Sequence, residues 1–200
     1  SDAIDLIPWR MYLRYNTPEI VVENYQKVKE WLSYCLERAK KDNPGRKKGK
    51  NEKYSSYLLD TGWHWGEWIE PDWNGFINTE DPGGAYLRDI YEHGAPEVCT
   101  SHLSYGCYIA SEMAKALGYQ KEAEFYSEMR KFTKLAYREV CVENGHMKQK
   151  RQCDYVHVIM FDMLSEEEKK IACDELNGMI VKNGFHLNTG FLSTYELLHV

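Results

Sequence analysis

Apolar residues recur at spacings of three and four along most of the chain, which is the pattern of helices that bury one face. In the first long segment, Pro18 follows Thr17 as a proline at the first helical position follows a cap. The apolar stripe behind it consists of Val21, Tyr25, Val28, Leu32, Cys35 and Ala39. The spacing predicts a long helix with one buried face.

The pattern changes between residues 96 and 117, where small and apolar residues occupy much of the helical circumference. They are Cys107, Ile109, Ala110, Met113, Ala114, Ala116 and Leu117. A helix that is apolar on most sides is enclosed by its neighbours. We therefore predict an inner helix here.

The following segments continue the alternation. A one-sided stripe predicts an outer helix, and its members are Phe125, Met129, Phe132, Ala136 and Val140. Residues 153–164, CDYVHVIMFDML, are apolar nearly all round. The run VHVIMF would also fit a strand, but its helical neighbours favour a second inner helix.

Two capping boxes mark helix starts near the end of the chain. Ser165 is followed by Glu168, and Ser193 is followed by Glu196. The first box predicts another outer helix, whose stripe is Ile171, Ala172, Leu176, Met179 and Ile180. The second predicts a further helix just before the last residue.

Alternating inner and outer helices are typical of a two-layer ring of helical hairpins. A TPR-like solenoid is the alternative, and Leu117-Gly118-Tyr119 with Ala123 and Tyr126 faintly fits one, but no 34-residue repeat is present. The chain starts within an apolar helical pattern and ends barely one turn into a capped helix. We therefore expect residues 1–200 to be part of a larger all-α domain.

Composition and charge narrow the classes of function. The net charge of −6 argues against a nucleic-acid partner, since phosphate binding depends on clustered Lys and Arg. No apolar run approaches the roughly 20 residues of a membrane helix, and no signal peptide is visible. The six cysteines form no CxxC pair, so we expect them to be free and mostly buried, with no zinc site, disulfide scaffold or cofactor.

Residues 42–95 form a long irregular stretch, far beyond a usual connection between helices. Its first part, residues 43–53, is polar and basic around Lys47 and is typical of a solvated loop. Its second part contains TGWHWGEWIEPDW, residues 61–73, which holds four of the six tryptophans among acidic residues. So much aromatic surface predicts a function or a buried position for this part.

The aromatic stretch suits a sugar site. Sugar rings present apolar C–H faces to flat aromatic side chains and hydroxyl edges to carboxylates. Both kinds of partner occur within six residues, namely Trp63, His64, Trp65, Glu67 and Trp68. The alternative is that the tryptophans cover one end of the helical ring. A metal site at His64 with Glu67, or at His93 with His102, lacks a third ligand at convincing spacing.

A second candidate is the turn GFHLNTGF at residues 184–191, which leads into the last helix. His186, Asn188 and Thr189 between its glycines could hydrogen-bond a ligand, or the segment could be a tight turn with a satisfied histidine. The stretch HGAPE that contains His93 is explained as a helix start at Pro96 and Glu97.

Four segments of this chain resemble a known family. They are PWRMYLRYNTPEI, the GEW of GWHWGEWIEP, TSHLSYGCYIASEMAKALGY and GFHLNTGFLSTYELLHV. In this order they are similar to the catalytic domain of bacterial α-L-rhamnosidases, glycoside hydrolase family 78, and the last segment is the most specific. The resemblance covers nearly the whole chain and implies an (α/α)6 toroid of the six-hairpin glycosidase type. It also implies inverting hydrolysis of terminal α-L-rhamnosides.

The resemblance further implies which residues meet the sugar. Inversion needs a carboxylic acid and a carboxylate about 6.5–9.5 Å apart, and neither family motif occurs in this sequence. The chain therefore resembles the middle of the catalytic domain, and we expect it to be inactive by itself. The expected substrate-binding residues are His64, Trp65, Glu67, Trp68, His186 and Asn188. Glu67 stands where the family has the aspartate of Gly-Asp-Trp, and Trp68 would form an apolar wall.

Two classes of function stay open at this point. In the first, the chain is a segment of an α-L-rhamnosidase that acts on a rhamnose-containing glycan or glycoside, or of a related exo-glycosidase with a different sugar at the same site. In the second, it is a helical module that binds carbohydrate or protein without chemistry. A partial toroid would also expose apolar helix faces, which predicts self-association. The sequence does not distinguish a cytoplasmic from a periplasmic location.

Overall fold

The computed structural model describes residues 2–41, 52–60, 66–67, 70–71 and 95–200. Helices dominate these segments, in agreement with the predicted all-α class. The helices are α1 (Ala3–Tyr15), α2 (Pro18–Lys41), α3 (Glu52–Ser55), α4 (Pro96–Ala116), α5 (Gln120–Cys141), α6 (Gln152–Met160), α7 (Glu166–Lys182) and α8 (Ser193–Glu196), followed by a 3-10 turn at Leu197–His199. Two short strands, β1 (Val142–Glu143) and β2 (His146–Met147), lie between α5 and α6.

The long helices pack as hairpins in two layers. Helix α1 packs on α2, α4 on α5 and α6 on α7, while α4 also contacts α1, α2 and α6. The buried residues of α2 include all six of the predicted stripe. Residues on most sides of α4 are buried, and so is every residue of α6 from Gln152 to Val158. The predicted alternation of inner and outer helices is confirmed for these hairpins.

The predicted stripe on the outer helix α5 is confirmed at Ala136, which is buried, and at Met129 and Val140, which pack against the core. It is wrong at Phe125. Phe125 is 49% exposed, and the buried residues of α5 are Ala123, Tyr126, Thr133, Ala136, Tyr137 and Cys141. Thr133 can be buried because its hydroxyl donates to the carbonyls of Met129 and Arg130 at 3.0 and 2.9 Å. Satisfied polar side chains, which a hydrophobic pattern leaves out, thus take part of the inward face.

Two helix ends also differ from the prediction. The capping box of Ser165 and Glu168 is present, and it opens α7 as predicted. Helix α6 ends at Met160, four residues earlier than predicted, and Asp162 adopts a left-handed φ of 54°. The second capping box is absent, since Ser193 makes no cap hydrogen bond in α8. Its side chain is used elsewhere, as described below.

The connection between α5 and α6 is a short antiparallel hairpin that the hydrophobic pattern did not reveal. Val142 pairs with Met147 and Glu143 with His146. The two turn residues, Asn144 and Gly145, have positive φ values of 51° and 82°, which is typical of two-residue hairpin turns. The dipeptide Asn144-Gly145 is the sequence feature that could have predicted this hairpin.

The structure also shows the state of the cysteines and the position of the exposed apolar side chains. All six cysteines lie in the described segments and are free of disulfides, and four of them are buried. Within the same segments, no helix combines the length and apolarity that crossing a bilayer requires. Large apolar side chains are exposed on α1 and after α7, including Ile7, Leu13, Phe185, Phe191 and Leu198. The expected self-association through such faces stays a prediction.

Helix α4 packs closely against α1 and α2 at Gly106. A Cβ atom at this position would lie 2.6 Å from Oδ2 of Asp5 and 2.9 Å from Cδ2 of Leu32. Both neighbours are buried and belong to α1 and α2. The absent side chain therefore lets three helices converge.

We expect Gly106→Ala to destabilise the fold by about 2 kcal/mol, because the methyl group must displace buried atoms. Gly178→Ala in α7 is the matched control, since nothing lies within 4 Å of its added Cβ. The control should be neutral or stabilise by about 0.5–1 kcal/mol, as alanine favours helix over glycine. Urea unfolding of both variants measures the difference. Equal stabilities would show that the helices do not converge at Gly106.

Candidate functional site

The site is centred on Glu67, the acidic residue of the aromatic stretch. Its side chain is buried, with only 1% of the residue exposed. The backbone N–H and the hydroxyl of Ser193 both donate to Glu67 Oε1, at 3.0 and 2.7 Å. These residues are 126 positions apart. Glu67 therefore fixes the start of α8 to the aromatic stretch.

The second oxygen of Glu67 faces α6. His157 of α6 is fully buried, and its Nε2 lies 3.6 Å from Glu67 Oε2. The imidazole ring is stacked on Phe161 and meets His102 of α4 edge-on, with ring centroids 5.5 and 4.9 Å away. The carboxyl group of Glu67 thus faces an imidazole of α6 that also packs against α4.

Burial moves both titratable groups toward their neutral forms. It raises the pKa of Glu67, against the opposing effect of the hydrogen bonds from Ser193. It lowers the pKa of His157 well below the usual value for histidine. The pKa of each group is therefore displaced in the direction of its neutral form, which is the form that costs less to bury.

A second acidic residue, Glu70, is held at the beginning of α6. It forms an ion pair with Arg151, whose Nε lies 3.3 Å from Glu70 Oε1. The thiol of Cys153 donates to the same oxygen at 3.1 Å. Arg151 also approaches Asp154, with 3.9 Å between Nη1 and Oδ1. This network attaches the aromatic stretch to α6 at a point separate from Glu67.

The polar turn at residues 184–191 is held by Gln152, the first residue of α6. Its Oε1 accepts from the N–H of Asn188 at 2.8 Å, and its Nε2 donates to the carbonyl of His186 at 3.5 Å. The hydroxyl of Thr194 donates to the carbonyl of Gly190 at 2.6 Å. The turn is therefore fixed by both α6 and α8.

The last helix is also anchored to the first. Glu196 of α8 is 4% exposed and forms an ion pair with Arg10 of α1. The guanidinium of Arg10 lies over the ring of Tyr195, 4.8 Å from its centroid. Glu196 thus binds Arg10, whereas the sequence pattern suggested a capping role for it.

The described residues include three of the six predicted substrate-binding residues, namely Glu67, His186 and Asn188. The structure connects all three through α6, because Gln152 binds the turn and His157 faces Glu67. The side chain of His186 is exposed, and Asn188 is partly buried. The other three, His64, Trp65 and Trp68, lie outside the described residues, as do Trp63 and His93. The assignment of the six to substrate binding stays a prediction.

Sequence analysis did not identify several of the residues around Glu67, and each was missed for a reason. Ser193 has the spacing of a helix cap, and His157 lies in a run that is apolar on both sides. Gln152 and Arg151 belong to no motif that was recognised. One sequence feature could have indicated these contacts: the helix predicted to be inner contains several polar residues. Buried polar groups need hydrogen-bond partners, so such residues predict contacts with other segments. Among the described residues, no group of three or more His, Cys, Asp or Glu is arranged to hold a metal ion.

Comparison with known protein families shows to which family the chain belongs. Residues 1–200 match the model of the bacterial alpha-L-rhamnosidase 6 hairpin glycosidase domain. The chain belongs to this family. The predicted six-hairpin (α/α)6 fold, of which these hairpins form a part, is thereby confirmed, and the solenoid alternative is wrong.

Two relatives and one solved structure illustrate the extent of the similarity. The chain is 25% identical to an alpha-L-rhamnosidase of Formosa agariphila and 26% identical to one of Streptomyces avermitilis, in both cases over its whole length. It spans only 19% and 16% of those proteins. The crystal structure of the Streptomyces avermitilis alpha-L-rhamnosidase complexed with L-rhamnose matches 99% of this chain and 16% of its own, with a TM-score of 0.74 at 23% identity. This rhamnosidase-family chain therefore corresponds to a minor part of each relative.

The buried Asp154 of α6 gives a prediction about pH. Burial raises its pKa to about 7, although Arg151 opposes the shift. The unfolded chain releases this proton near pH 4 while the folded chain retains it, so the contribution of Asp154 to stability falls from about pH 4 to about pH 7. Asp154→Asn removes this loss. We expect the variant to be about 2 kcal/mol more stable than the parent at pH 8, or about 5 °C in Tm, and to gain much less at pH 5.

Thermal unfolding at both pH values measures this effect. Asp174→Asn on the exposed face of α7 is the control and should change Tm little at either pH. A gain for Asp154→Asn that is the same at pH 5 and pH 8 would contradict the assignment.

Proposed function

We propose that the protein containing this chain is an inverting exo-glycosidase that hydrolyses terminal α-L-rhamnosides of plant or bacterial glycans. Membership of the rhamnosidase family supports the proposal. A relative of the same fold was crystallised with L-rhamnose, which supports the choice of sugar. The observation that carries the proposal for this chain is the acidic residue Glu67, held by Ser193 and faced by His157 beside an aromatic stretch.

In this proposal the chain supplies part of the sugar-binding wall and leaves the bond cleavage to other residues. An inverting reaction needs a carboxylic acid that protonates the leaving oxygen and a carboxylate that activates water from the opposite face. Neither motif of that pair occurs in the sequence. Glu67 accepts hydrogen bonds from sugar hydroxyls, while Trp65 and Trp68 cover the apolar face of the ring. The 200-residue chain alone is inactive.

The first experiment compares the longest expressible product of the gene with the 200-residue chain. Both are assayed for aglycone release from a panel of aryl glycosides that includes the α-L-rhamnoside, and NMR follows the anomer first released. We expect turnover of the rhamnoside by the long product alone, with β-L-rhamnose as the first anomer. A folded long product that hydrolyses no member of the panel would contradict the proposal and favour a module that binds carbohydrate without chemistry.

Glu67→Gln in the long product tests the proposed contact with the sugar. The amide retains the size of the side chain but replaces one carboxyl oxygen with an NH₂ group, which donates and cannot accept a hydrogen bond from a hydroxyl. We expect kcat/KM for the rhamnoside to fall by about 10²-fold. Glu167→Gln, on the exposed side of α7, is the matched control and should leave kcat/KM unchanged. Equal activities of the two variants would exclude Glu67 from the site.

A further inference from the structure

His157 occupies a position where a polar side chain is costly. It is fully buried, and neither ring nitrogen has a hydrogen-bond partner in the part of the chain that the structure describes. Desolvating a polar group without a compensating hydrogen bond costs on the order of 1–3 kcal/mol in proteins. Its neighbours Val156 and Val158 show that apolar side chains fit this helix. The histidine therefore calls for an explanation other than packing.

The neighbours of His157 show which group its ring nitrogen Nε2 faces. Glu67 faces its Nε2 from the aromatic stretch at 3.6 Å, and His102 touches its ring from α4. Arg151, at the start of α6, opposes a positive charge on the imidazole. Beyond His102 lie the charged groups of Asp2, Arg10 and Glu196. Among these, Glu67 is the carboxyl group placed against a nitrogen of His157.

Within the described segments, two elements approach Glu67, one at each oxygen. Ser193 of α8 donates twice to Oε1, while His157 of α6 faces Oε2. The terminal torsion of a carboxyl group is broad and roughly two-fold. A contact between Oε2 and Nε2 of His157 holds that torsion in one orientation.

We propose that His157 is a positioning residue for Glu67, and that the two side chains share one proton between Oε2 and Nε2. This inference rests on the proposed function of Glu67. In one arrangement Glu67 is a carboxylic acid and His157 a neutral imidazole, and in the other they are a carboxylate and an imidazolium. The proton count and the zero net charge of the pair are the same in both, so no further reactant is required.

The distance and the charges fit such a pair. At 3.6 Å the two atoms must approach by about 0.6 Å to reach hydrogen-bond range, and contacts of this kind tighten when a ligand is bound. Burial raises the pKa of Glu67 and lowers that of His157, so both shifts oppose the charged forms of the two groups. A pair that holds one proton has no net charge to desolvate.

The test uses the long gene product and three histidine variants. His157→Leu removes both nitrogens, His157→Gln keeps an N–H donor but cannot share a proton, and His146→Leu changes an exposed histidine of the β-hairpin as the control. KM and kcat for the aryl α-L-rhamnoside are measured between pH 5 and pH 8. We expect KM of the parent and of the control to vary less than about twofold across this range.

We expect His157→Leu to raise KM about tenfold at pH 8 with kcat changed less than about threefold, and to make KM depend on pH because Glu67 then titrates alone. His157→Gln should restore KM to within about threefold of the parent at pH 8 but keep the pH dependence. A leucine variant with unchanged KM would overturn the proposal. So would a glutamine variant as impaired as leucine at every pH, since that result indicates packing alone.

A second measurement separates this inference from the proposed function. The variants Glu67→Gln and His157→Leu, alone and combined, form a double-mutant cycle in urea unfolding, which needs no activity. A coupling of about fivefold or more in the unfolding equilibrium constant supports the pair even if the parent hydrolyses no rhamnoside. Additive effects would refute it even if the parent is active. Where the leucine variant does not fold, the cycle is run with His157→Gln.

Discussion

A buried carboxyl group must be satisfied wherever it lies, and Glu67 shows how much structure that requirement can organise. Its Oε1 takes both donors of Ser193, which fixes the first residue of α8 against the aromatic stretch. The position of α8 in turn sets Glu196 beside Arg10 of α1. Removing water from a carboxyl group costs several kcal/mol unless such partners are supplied. The geometry of the far end of the chain thus depends on one side chain in the middle.

Helix α6 carries buried polar residues that packing of the core does not explain. Every residue from Gln152 to Val158 is buried, yet Gln152, Asp154 and His157 are polar or titratable. A helix in a purely structural role would be more stable with apolar residues of similar volume. Here the polar residues hold the turn at residues 184–191 and surround the acidic residues of the aromatic stretch. The helix therefore serves as a rigid support for polar side chains.

Sequence patterns predicted the helices better than the site, for a physical reason. The stripe of α2 was predicted residue by residue because its inward face is purely apolar. The stripe of α5 was predicted only in part, because Thr133 and Tyr137 also take inward positions. Ser193 has the local spacing of a helix cap, but its partner is 126 residues away. Hydrogen bonds between distant segments leave no periodic trace, so the residues around Glu67 could be found only in three dimensions.

The ion pair of Arg10 and Glu196 joins residues 186 positions apart, whereas each helical hairpin is built from neighbours along the chain. Local contacts form early in folding, because closing a long loop costs conformational entropy before any contact repays it. The hairpins can therefore assemble in order along the chain, and the bonds of Glu67 and Glu196 form after the hairpins that they join. During synthesis on the ribosome, this part of the site is completed only after α8 has emerged.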